Sequence, residues 1–93
     1  MKKYFKYRWN ENRGDEFDDW GFSTWYNEVD EKFYTIRQIE IYDNGNILKY
    51  CNEHLEDKFG ALAEKSLEES SAFLEISQVE FENIWNSQKT LNS

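Results

Sequence analysis

Phe33-Tyr34-Thr35-Ile36-Arg37-Gln38-Ile39-Glu40-Ile41-Tyr42, followed by Asp43-Asn44-Gly45-Asn46 and Ile47-Leu48-Lys49-Tyr50, decides the fold. β-Branched and aromatic residues dominate 33–42, which is the composition of a strand. Side chains of a strand alternate between two faces. One face would carry Phe33, Thr35, Arg37, Ile39 and Ile41, and the other Tyr34, Ile36, Gln38, Glu40 and Tyr42. Both sets contain apolar bulk, so this strand belongs inside the sheet. Asn44-Gly45 between two strand-like runs predicts a two-residue hairpin, because a type I′ turn needs positive φ at both central residues. Residues 46–50 then return as its partner strand.

Working outward, residues 3–9 set Tyr4, Lys6 and Arg8 against Phe5, Tyr7 and Trp9, a period-2 pattern rich in aromatics. Residues 21–29 alternate more loosely and read as another strand, closed by a turn at Asp30-Glu31-Lys32. The expectation is a four-stranded antiparallel meander over 3–9, 21–29, 33–42 and 46–50. Beyond Cys51 the pattern changes. Residues 52–65 are charged and ambiguous, with Phe59, Leu62 and Leu55 available to anchor them on the sheet. Ser66-Leu67-Glu68-Glu69 is a capping box that opens a short helix over 66–72. Ser77-Gln78-Val79-Glu80 is a second one, with Ile76 and Phe81 placed to form a hydrophobic staple. Phe81, Ile84 and Trp85 then share one stripe of an amphipathic helix over 77–89 that should pack on the sheet. The reading is an α+β fold in a single domain, 1–93.

Composition agrees. A 93-residue chain suits one domain. A chain this short buries only about 60–65% of its unfolded surface, so its core needs large side chains. Four Trp, six Tyr and seven Phe supply them, each covering about 150–250 Å² when buried. That aromatic content separates the chain from disordered sequences of similar charge. No run approaches the length of a membrane span. The N-terminal Lys2 and Lys3 are not followed by the apolar stretch of a signal peptide. The single cysteine, Cys51, leaves no internal disulfide, which fits a reducing compartment. Cytoplasm, a monomeric state and no membrane association are the expectations.

The net charge of −8 repels nucleic acid and favours encounter with a basic partner. The acids are densest in the polar segment 10–19, where Glu11, Asp15, Glu16, Asp18 and Asp19 face Arg13 alone; Glu28, Asp30 and Glu31 add to them. Trp20 follows Asp18-Asp19 directly, and Trp25 lies close in sequence. Aromatics ringed by carboxylates have the composition of a binding hot spot for a cationic partner. The competing reading is that Trp9, Trp20, Trp25 and Tyr26 roof the core. Arg37, set among apolar residues, reads as half of a structural ion pair with Glu40 or Glu28.

Catalytic and metal chemistry find little support. His54 is the only histidine, and Cys51-x-x-His54 supplies two of the three or four ligands a metal needs. The acids of 11–19 lack the spacing of a calcium loop. No nucleophile motif surrounds His54, no Gly-rich phosphate loop is present, and carboxylate pairs arise by chance among 19 acids. No catalytic residue, metal or cofactor is assigned.

The order of elements resembles a family of small bacterial proteins of undetermined function. The likeness rests on Trp9, on Tyr26–Asp30, on Tyr34-Thr35-Ile36-Arg37-Gln38-Ile39-Glu40-Ile41-Tyr42-Asp43-Asn44-Gly45, and on Ile76-Ser77-Gln78-Val79-Glu80-Phe81-Glu82-Asn83-Ile84-Trp85. Two departures are Asn10, where relatives commonly carry His, and the absence of proline. The resemblance implies an immunity-type protein that would neutralise a basic toxin domain such as a nuclease. The alternatives are a general protein-interaction or regulatory domain, and a phage-type acidic mimic of nucleic acid.

Overall fold

The computed structural model describes residues 2–64, 67, 73–87, 90 and 91. In chain order it contains β1 (Lys3–Trp9), a 3-10 turn (Asp18–Trp20), β2 (Ser23–Val29), β3 (Thr35–Tyr42), β4 (Ile47–Cys51), β5 (Glu56–Asp57), β6 (Gly60–Ala61), β7 (Leu74–Ile76) and α1 (Gln78–Ser87). The main sheet has five strands in the order β4-β3-β2-β1-β7, with every pair antiparallel. The fold is α+β, and the expected meander is present as β1 to β4. The fifth strand corrects the expected four. β7 is too short to carry a period-2 signal and exists through its pairing with β1, Tyr4 opposite Ile76 and Lys6 opposite Leu74. The short helix expected over 66–72 lies outside the described residues, except for Leu67, as do residues 88 and 89 of the expected C-terminal helix.

Three turns differ from the sequence reading. After Tyr42 the chain makes a three-residue loop rather than a type I′ turn. Gly45 N–H donates to the Tyr42 carbonyl, Tyr42 N–H to Asn46, and only Gly45 has positive φ, at 95°. This is the longer hairpin solution, in which one left-handed residue closes the loop. Tertiary tethers favour it. Asp43 N–H donates to the Phe22 carbonyl, Asn44 N–H to that of Trp20, and the Asp43 carboxylate pairs with Arg8 at 2.7 Å. β2 begins at Ser23 rather than 21, because Gly21, at φ 85°, redirects the chain out of the 3-10 turn. β3 begins at Thr35 rather than 33, because Phe33 is left-handed at φ 66°. The Asp30 carboxylate holds that turn by accepting from the N–H groups of Lys32 and Tyr34.

A bulge corrects the facing of β3. Glu28 pairs with Arg37, but Val29 pairs with Thr35, so Ile36 is the extra residue. Thr35 therefore leaves the Arg37 face, and its hydroxyl accepts from Asn27 Nδ2 at 3.1 Å. From Arg37 onward the alternation is regular. One face buries Tyr4, Ile39 and Ile47 under Phe81 of α1, with Ile76, Ile84 and Trp85 around them. The opposite face buries Tyr42, Leu48 and Tyr50 beneath Trp20, with Phe17, Phe59 and Leu62. Phe59 and Leu62 thus anchor the crossing segment as expected, while Leu55 stays 55% exposed.

α1 is capped as the sequence predicts, with Glu80 N–H donating to Ser77 Oγ at 3.1 Å. Its attachment is also ionic. Arg37 Nε donates to Glu28 at 2.6 Å across the strands, and Arg37 Nη2 donates to Glu82 of the helix at 2.6 Å. The guanidinium lies 4.9 Å from the ring centroids of both Phe81 and Trp85. Of the two partners anticipated for Arg37, Glu28 is the one found. Glu40 points to the other face, three residues along an alternating strand.

Two substitution tests follow from this architecture. Glu28→Ala removes one of two carboxylates from a partly buried guanidinium that keeps Glu82, and leaves the Tyr4 hydroxyl without its acceptor, so it is expected to cost about 1–3 kcal/mol in urea unfolding. Gly14 and Gly21 both have positive φ, but only at Gly21 would a Cβ meet a neighbour, Asp43 Cβ at 2.9 Å. Gly21→Ala should therefore destabilise by about 1–3 kcal/mol more than Gly14→Ala, the added cost being overpacking; equal midpoint shifts would contradict this.

Candidate functional site

The cross-strand register builds a site on the face away from α1. Tyr7 of β1 lies opposite Trp25 of β2, and Trp25 opposite Glu40 of β3. The next row is Trp9, Ser23 and Tyr42. These two rows floor a cavity of about 280 Å³, walled by Arg13 and Asp15 from the 10–22 loop and by Phe59 to Ala61 from the small hairpin. Tyr7 and Trp25 stack at 5.9 Å, and the indole N–H of Trp25 donates to Ser23 Oγ at 2.7 Å, which sets the ring's orientation.

Glu40 is the unusual member. It is 3% exposed, yet it lines this cavity. Oε1 accepts from the Tyr42 hydroxyl at 2.6 Å, and Oε2 accepts from Gln38 Nε2 at 2.7 Å. Burial pushes its carboxyl above the usual glutamate range, and these two hydrogen bonds offset only part of the rise. Burial, with the Glu40 charge added, pushes the Tyr7 hydroxyl up to about 12. Arg13 is held at the rim. It donates to Asp15, to the Tyr42 hydroxyl and to the Phe59 carbonyl, and its guanidinium lies within cation–π range of Phe17, Trp20 and Tyr42.

The residues expected to contact a partner are distributed as follows. Trp20 is buried, 7% exposed, in contact with Tyr42 and Phe59, so it roofs a core and is not an exposed anchor. Glu28 is buried in the Arg37 pair. Asp15 is exposed but paired with Arg13, and Asp18 folds back to accept from Gly14 and Asp15 N–H groups. Glu11, Glu16 and Asp19 are exposed and make no ion pair among the described residues. Asp30 serves its turn, and Glu31 is exposed beside it. The two acidic segments do not form one patch. They lie at opposite ends of β2, whose seven residues span about 20 Å. Trp25 is half-buried at the cavity, with Trp9 at its open side, 42% exposed.

Sequence reasoning missed Glu40 as a site residue. Its signal was an acid on the strand face shared with Tyr34, Ile36, Gln38 and Tyr42. His54 contacts Asp57 at 2.7 Å, and the same carboxylate accepts from Tyr50 and from the Phe59 N–H, so Asp57 organises the small hairpin. Among the described residues no three His, Cys, Asp or Glu side chains converge as a metal site, and no helix is long and apolar enough to cross a membrane.

Comparison with family models, with curated proteins and with solved structures returns no match to this chain.

The two buried carboxylates give stability opposite slopes with pH. Glu40 has a raised folded value, so its contribution is complete below the ordinary value of 4.5 and is lost as pH rises through the folded value. At Glu28 burial raises the value, but Arg37, Tyr4 and Lys2 outweigh it and the net shift is downward. Its contribution is therefore present above 4.5 and lost as pH falls through the lowered folded value. Glu40→Gln should remove the first slope and keep the second, so that the variant gains on the parent as pH rises above 4.5. Thermal unfolding across a pH series measures both; parallel curves for variant and parent would contradict the assignment.

Proposed function

We propose that this chain is a non-catalytic acidic binding protein that engages a basic protein domain at the loop end of its sheet. The observation that carries the reading is the pairing there of accessible aromatic surface with uncompensated acids. Trp9 and Phe22 are 42% and 38% exposed, and the adjoining loop presents Glu11, Glu16 and Asp19 without an ion pair among the described residues. Partly exposed aromatics supply contact area, and rim carboxylates steer a cationic surface onto it. A basic toxin domain such as a nuclease is the partner class that the sequence resemblance and the net charge of −8 favour. Such a domain carries lysines and arginines where it holds phosphate, and covering them would neutralise it.

The scatter of the remaining acids counts against a nucleic-acid mimic and, by the same measure, confines the proposed contact to the acids of the 11–19 loop. Glu31 stands at the far end of the sheet, Glu53 beside the crossing segment and Glu75 on the edge strand. They do not make the single spaced array that imitation of a phosphate backbone requires.

The test is to mix the protein with the product of the adjacent gene and measure affinity while salt is raised. A complex at low salt that weakens at least about tenfold between about 50 and about 500 mM is expected, because screening removes the steering of exposed charges. Neutralising Glu11, Glu16 and Asp19 together should slow association, whereas Glu31→Gln should not. Absence of a complex at low salt overturns the proposal.

A further inference from the structure

The fold houses a guanidinium against aromatic rings and a carboxylate twice. Arg37 lies on Phe81 and Trp85 with Glu28 and Glu82 as partners. Arg13 lies among Phe17, Trp20 and Tyr42 with Asp15 as partner. The cavity beside Arg13 repeats the recipe with Tyr7, Trp9, Trp25 and Glu40, and no cation of the described chain reaches that carboxylate by ion pair.

We propose that this cavity is a receptor for one arginine side chain of the protein partner, with Glu40 as its counter-ion and Trp25 as its stacking surface, Tyr7 being packed between Trp25 and Phe73 behind it. The inference rests on the binding role proposed above and names the chemistry of its central contact.

Three observations select a guanidinium. Each oxygen of Glu40 already accepts one hydrogen bond, and each keeps further acceptor capacity. A planar fork offers two parallel N–H donors matched to both oxygens, a fixed geometry that an ammonium lacks. The floor is aromatic, and a guanidinium stacks on such faces and is less strongly hydrated than an ammonium. Burial and the Gln38 and Tyr42 hydrogen bonds hold the carboxylate in place before any ligand arrives, so little ordering remains to be done on binding. The charges at the site are Glu40, Asp15 and Arg13. Arg13 makes its ion pair with Asp15 at 3.1 Å and reaches Glu40 through the Tyr42 hydroxyl and by its charge at longer range, so the Glu40 oxygens stay open to direct pairing with an incoming group.

Argininamide is the probe, read by the indole N–H signals of Trp9 and Trp25 in two-dimensional NMR of the full chain. Saturable shifts confined to these signals and to the backbone around Glu40 are expected. Citrulline amide, a neutral isostere, should give none, and lysinamide should bind more weakly. Glu40→Gln should weaken argininamide at least about tenfold, the scale of losing a charged hydrogen-bond partner. Trp9→Ala, at an accessible rim position, should weaken it as well and guards against a result that only reports misfolding. Shifts spread over Glu11, Glu16 and Asp19, or equal shifts with citrulline amide, overturn the assignment. The two proposals fail separately. A salt-sensitive complex with the basic partner that is indifferent to Glu40→Gln overturns the arginine receptor and leaves the binding role intact. Argininamide binding without any such complex supports the receptor chemistry and overturns the protein partner.

Discussion

The ion pair between Arg37 and Glu28 is the interaction on which the other placements depend. It sits between adjacent strands, with Glu28 buried and Arg37 reaching on to Glu82 of the helix. A buried carboxylate and a largely buried guanidinium tolerate few alternatives, because either one left alone carries the cost of its desolvation. The pair therefore commits Arg37 to the helix face. Alternation then carries Ile39 and Ile41 to the same face and sends Gln38, Glu40 and Tyr42 to the other. The bulge at Ile36 lets the chain reach this phase after the left-handed turn at Phe33. A slip by one residue would exchange the two faces, so register and site are one decision.

The two faces are used differently. The helix face is completed within the chain, by a capped helix whose Phe81 is wholly buried. Among the described residues the opposite face is covered over β3 and β4 by the Trp20 turn and the small hairpin, and at β1 by Phe73, which packs on Phe5 and Tyr7. The cavity lies between these covers. Its carboxylate, its aromatic floor and its arginine rim come from separate segments that the register and two loops bring together.

Much of the fold was legible in the sequence. The β3 and β4 runs, the capping box at Ser77 and the Phe81, Ile84, Trp85 stripe each carry a local signal, because alternation and capping depend on neighbours in sequence. The misplaced starts of β2 and β3 came from local left-handed residues, and the larger misses were non-local. β7 is a strand only because β1 offers it an edge. The loop after Tyr42 is lengthened by tethers to Trp20 and Phe22. For Trp20 the sequence left both a binding anchor and a core roof open, and it is buried because the 3-10 turn folds it onto Tyr42.

By itself the sequence determined the α+β class, the identity of the main strands and the helix, and the acidic character of the chain, since composition and periodicity are properties of the chain alone. Only the tertiary structure decided which acids remain without a partner, which tryptophans face outward, and that Glu40 stands in a row with Tyr7 and Trp25. Pairing and burial depend on residues far apart in sequence. The two acidic segments show the difference most plainly. They are separated in the sequence by little more than one strand, and that strand's length holds them about 20 Å apart.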